Sequence, residues 1–116
     1  VPEGKQNVLD AIDCCTEALA TLDAADDSAV GDQKAAIKDV AELLGSLKEK
    51  VFLKTKKALT PAYLALEACK NVGELAEELD ADDEDSLQEL SDAISQLKES
   101  ATKLQGASKQ HSVIVT

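Results

Sequence analysis

Cys14, Cys15 and Cys69 are the side chains of this chain most suited to covalent chemistry: an adjacent pair and a third thiol far along the sequence. Three cysteines are too few for the disulfide framework that holds small secreted domains together. In an oxidising compartment they leave one bridge and one odd thiol, with Cys14, Cys15 and Cys69 all candidates for the bridge. In a reducing compartment all three stay free and pack as small apolar residues. An exposed Cys14 would also allow a disulfide-linked homodimer. The single histidine, His111, stands near the C-terminus without an obvious partner, so a histidine general base or a zinc site lacks material. There is no Gly-rich phosphate loop, nucleophile elbow or CxxC pair. The sequence therefore gives no catalytic residue, no metal ligand set and no cofactor, and predicts a non-catalytic protein.

Carboxylates are the other abundant chemical group. Asp and Glu total 23 against 12 basic residues, every one of them Lys, for a formal net charge of −11. A nucleic-acid binder needs a basic face and usually arginine forks, so that class is excluded. The acid concentrates in two similar phrases, "LDAADD" at 22–27 and "LDADDED" at 79–85. An EF-hand loop needs Gly at its sixth place and Glu at its twelfth. Counting from Asp80 puts Asp85 and Ser91 there, so the pattern fails. These carboxylates are expected to cap helices and oppose helix dipoles. Lysines collect instead in "KEKVFLKTKKALTPAY" at 48–63, beside Phe52 and Tyr63, the only aromatic residues. Phe52, Lys54, Lys56, Lys57 and Tyr63 form a candidate contact surface for an acidic protein partner or an anionic headgroup. The competing reading is that Phe52 and Tyr63 close the end of a core while the lysines are solvated.

The elements behind these groups follow from apolar spacing. Ala and Leu dominate the apolar residues, and the β-branched and aromatic types that favour strands are scarce. Apolar residues recur at 3-4 spacing in four runs: Val8–Leu22, Ile37–Val51, Ala65–Leu79 and Leu87–Leu104. Helices are predicted over about 5–25, 33–57, 61–79 and 86–105. Thr60 is expected as the N-cap and Pro61 as the first residue of the third helix. Asp85 with Gln88 is expected to form a capping box at the fourth. Gly106 is expected to end the fourth helix, leaving a tail at 107–116 outside a single domain at 1–106. Ile12, Cys15, Leu19, Val40, Leu44, Val72, Leu75, Ile94 and Leu97 are predicted to line the core.

Sliding the sequence by 57 places Leu22-Asp23-Ala24 on Leu79-Asp80-Ala81 and matches most apolar positions. The expected fold is all-α: an antiparallel, up-down-up-down four-helix bundle made of two similar helical hairpins. Acid then gathers at one end and lysine at the other. A square bundle puts helices one and three on a diagonal, too far apart for a Cys14–Cys69 or Cys15–Cys69 bridge unless the two are neighbours. No apolar run is long enough to span a bilayer. The chain opens Val-Pro-Glu, which reads as a secreted, extracellular protein whose signal peptide has been removed, or as a cytoplasmic fragment. The expected function is binding of a macromolecular partner. The alternatives are a carrier of apolar ligands or lipid in the bundle core, and a helical segment of a larger adhesion or cytoskeletal protein.

Overall fold

The computed structural model describes residues 3–24, 27–47, 56–80 and 82–115, with side chains at 6–24, 30–47, 61–80 and 82–106. Four helices pack against one another: α1 (Glu3–Leu22), α2 (Asp27–Leu47), α3 (Lys56–Glu77) and α4 (Glu84–Val115). No strand occurs among the described residues, and none of the helices searched there is long and apolar enough to cross a membrane. The seams form one core in which side-chain volume is divided unequally. Val8, Ala11, Cys15 and Ala18 of α1 and Ala62, Ala65, Cys69, Val72 and Ala76 of α3 are buried and small, with Leu22 and Leu66 the large buried side chains of these two helices. Ile37, Val40, Leu44 and Leu47 of α2 and Leu90, Ile94, Leu97 and Leu104 of α4 are buried and mostly large, with Ala93 and Ala101 between them on α4. Small residues let two helix backbones approach closely, while the longer side chains fill the space on the far side.

Accordingly α1 packs against α2 and α3, and α4 packs against α3 and α2, whereas α1 and α4, like α2 and α3, make no contact among the described residues. The diagonal placement of the first and third helices is therefore wrong; they are neighbours. Periodicity tells which face of a helix is buried, and the small side chains of α1 and α3 decide which faces meet.

Helix ends show how the acidic phrases work. At the close of α1 the Asp23 N–H donates to the Leu19 carbonyl at 3.0 Å and the Ala24 N–H to the Thr21 carbonyl at 3.3 Å. α3 closes in the same way, from Glu78 to Glu74 at 3.1 Å and from Leu79 to Ala76 at 3.4 Å. The tightening from a four- to a three-residue step satisfies carbonyls a helix end would otherwise leave unpaired. Before α4, the Asp83 carboxylate accepts the Asp85 N–H at 2.9 Å, and the Asp83 carbonyl accepts the first helical bond, from Leu87, at 3.1 Å. Asp83 is thus the N-cap, not Asp85, and such a cap is worth about 1 kcal/mol. Asp80 organises the preceding turn, its carboxylate accepting from the Asp82 N–H at 3.0 Å and its own N–H donating to Ser86 Oγ at 3.1 Å.

Three boundaries differ from expectation. α2 starts at Asp27, one and a half turns early, and carries Gly31 inside it; the gain is Val30, fully buried. α3 starts at Lys56 and contains Pro61, because Lys56, Lys57, Ala58 and Leu59 all favour helix. The cost is the bond Pro61 cannot donate to the carbonyl one turn back. α4 continues through Gly106 to Val115. Gly106 has no positive φ, so it is not the left-handed cap that ends a helix, and an interior glycine costs only about 1 kcal/mol against alanine. The segment 48–55, where α2 was expected to continue, lies outside the described residues.

Candidate functional site

The chemistry-bearing residues fall into two places. The first is the seam between α1 and α3. Adjacent cysteines on a helix point about 100° apart, so only one of Cys14 and Cys15 can face the core. Cys15 does, and with Cys69 of α3 it is fully buried; Cys14 turns to the edge of the seam and is half-buried. The two buried sulfurs lie 3.2 Å apart, and the Cys69 S–H donates to the Ala11 carbonyl, also at 3.2 Å. All three thiols are free. The hydrogen bond with Cys15 and then burial push the Cys69 thiol well above its ordinary range. Its partner Cys15 is lowered by the hydrogen bond between the two sulfurs. The pair therefore shares its titration, with Cys15 losing a proton first. Burial raises Cys14, and the nearby Glu17 carboxylate raises it further.

A groove of about 230 Å³ runs along this seam, lined by Cys14, Glu17, Ala18 and Thr21 of α1 and by Cys69, Lys70, Gly73, Glu74 and Glu77 of α3. A second, of about 160 Å³, lies between α2 and α4 beside Gln33, Ser91 and Ile94. There Gln33 Nε2 donates to Ser91 Oγ at 3.0 Å. Charged side chains of both signs are part of the lining of the first groove. Among the described residues no group of His, Cys, Asp or Glu is arranged to hold a metal ion.

The second place is the outward side of α3. Ala62, Ala65 and Leu66 face the core, and the intervening Tyr63 and Leu64 are 53% and 51% exposed, the exposed large hydrophobic residues of the described chain. Tyr63 therefore does not close the end of the core. Lys56 and Lys57 are in the first turn of α3, each two turns before Tyr63 and Leu64 in helical register. Phe52 and Lys54 lie outside the described residues. Sequence reasoning missed Leu64, whose position off the seam was the available signal. Of the predicted core lining, Cys15, Val40, Leu44, Val72, Ile94 and Leu97 are buried, and Ile12, Leu19 and Leu75 pack partly buried against them.

A charge contact joins the end of α1 to α2. Lys34 Nζ bridges to the Asp23 carboxylate, with the lysine side chain only 17% exposed. The Lys34 hydrogen bond, and then its charge, hold the Asp23 carboxyl below the ordinary aspartate value. A depressed carboxyl contributes stability that is present above its unfolded value, about pH 3.9, and is lost as pH falls through its lower folded value. An NMR titration should therefore find the Asp23 midpoint below the ordinary aspartate value, and Lys34→Gln should move it back up. An Asp23 midpoint that ignores this substitution would show the bridge absent in solution.

No protein-family model, curated protein or solved structure matches the chain.

Proposed function

We propose that this chain is a non-catalytic, antiparallel four-helix bundle that binds an acidic macromolecular partner through the outward side of the start of α3. The observation that carries the reading is the exposed Tyr63–Leu64 pair following Lys56 and Lys57 on one helix. An aromatic and an aliphatic side chain give a contact its desolvated centre, and lysines give it a sign. The extent of the α1–α3 groove supports the topology: from the level where Cys15 touches Cys69 its lining reaches Thr21 on α1 and Glu77 on α3, toward the C-terminus on both. Helices one and three then run in the same direction, with α2 and α4 antiparallel to them. In that arrangement the acidic turns share one end, and Lys56 and Lys57, at the start of α3, belong to the other.

The overall charge of −11 does not prevent such binding. The 22 residues of α3 separate Lys56 from the acidic turn by roughly 30 Å, several times the ~8 Å over which salt screens charge in physiological solution. The apolar-ligand reading gains no support from the two grooves, whose volumes of about 230 and 160 Å³ fall below the roughly 300 Å³ at which ligand pockets begin.

Charge reversal tests the proposal. With Lys54, Lys56 and Lys57 all changed to Glu, cross-linking of the protein to its partner in native extract should fall about tenfold or more, as for loss of a central contact. Tyr63→Ser should act in the same direction, and neither variant should lose helical circular dichroism. Unchanged cross-linking would place the interface elsewhere. Binding to phosphatidylserine vesicles in place of any protein would replace the macromolecular partner with a membrane surface.

A further inference from the structure

We propose that Cys15 and Cys69 are a redox pair that closes into a reversible disulfide joining α1 to α3, with Cys14 as the thiol through which the oxidant reaches them. The two buried sulfurs are already in contact at 3.2 Å. They stand on neighbouring helices whose seam is built from small residues, so forming the bond asks for a small approach and no rearrangement. The Ala11 carbonyl orients the Cys69 sulfur. Neither member of the pair is exposed, so a dissolved oxidant cannot attack them directly. Cys14 is half-buried and lines the same groove as Cys69.

The oxidant is a small-molecule disulfide. The Cys14 thiolate attacks one of its sulfurs, giving a mixed disulfide and releasing one small thiol, which takes up the proton Cys14 lost. Cys15 gives up its proton first and then takes the Cys69 proton across their 3.2 Å contact; Cys69 attacks the Cys14 sulfur and expels the second small thiolate, which takes up the proton Cys15 had lost. Cys15 then attacks Cys69 and passes its proton to Cys14, which returns to a thiol. In sum, Cys15 and Cys69 give up two protons and two electrons, and the small disulfide leaves as two thiols. Cys14 acts as a relay and is unchanged at the end.

The full chain, reduced and then incubated with oxidised and reduced glutathione, tests each part. Alkylation followed by proteolysis and mass spectrometry should find one Cys15–Cys69 cross-link and an alkylated Cys14. The oxidised form should need more denaturant to unfold than the reduced form, because the bond restricts the unfolded chain. Cys14→Ser should reach the same cross-link at least about tenfold more slowly, with helical circular dichroism unchanged. Three free thiols at every glutathione ratio, or a stable Cys14–Cys69 product, would overturn the pair. An undiminished rate in Cys14→Ser would overturn the relay.

Discussion

Leu97→Ala lowers the free energy of unfolding by about 2–5 kcal/mol, the range for truncating a fully buried leucine. Leu97 is 0% exposed on α4, one of the two helices that supply the large side chains. Its neighbours in the seam, Ile94 and Leu104, are buried as well. The small residues of α1 and α3 cannot extend to refill the space, so collapse around the deletion is limited and the cost belongs in the upper part of that range. Small domains have about 5–15 kcal/mol in total, so the variant should unfold at much lower urea concentration with its slope unchanged. Leu87→Ala provides the control, because Leu87 is only partly buried against the core. Equal losses for the two would show that the α4 seam is not the centre of the core.

Ala11→Leu fails for the opposite reason. Ala11 is fully buried, and its carbonyl accepts the Cys69 S–H, so the residue stands in the α1–α3 seam beside small side chains. A leucine there must push α1 and α3 apart or take a poor rotamer, at about 1–3 kcal/mol. Separation also breaks the sulfur contact, so the variant should lose the Cys15–Cys69 cross-link under oxidising conditions while its helix content stays near that of the parent. Denaturant unfolding combined with thiol mapping reads both effects. A variant as stable as the parent, still cross-linking at the parent rate, would mean that the seam has room to spare.

How the chain builds these seams was largely visible in its spacing. Ile37, Val40, Leu44 and Leu47, or Leu90, Ile94 and Leu97, mark a buried stripe without help from coordinates. What escaped has particular causes. Val30 was missed because Asp26, Asp27, Ser28 and Gly31 look like a break, yet Asp and Ser also begin helices and one glycine is a small cost. The cap before α4 was misassigned by two residues, since every residue from Asp82 to Asp85 is acidic and an aspartate in any of those places can cap. The contact of Cys15 with Cys69 was not readable, because a stripe does not name the stripe it meets. Tyr63 was singled out for its type, but its exposure depends on which side of α3 the core takes. The lysine segment ahead of it lies in part beyond the described residues.

Because α2 and α3 do not touch among the described residues, the chain leaving Leu47 must reach Lys56 from across the bundle. Helix axes packed 8–10 Å apart make that crossing about 14 Å, whereas nine residue steps can stretch to roughly 30 Å. The tether has about twice the reach it needs. Connection length therefore sets no limit on which helices can meet, and the choice of α1 against α3 and of α4 against α2 falls to the buried faces of the helices themselves.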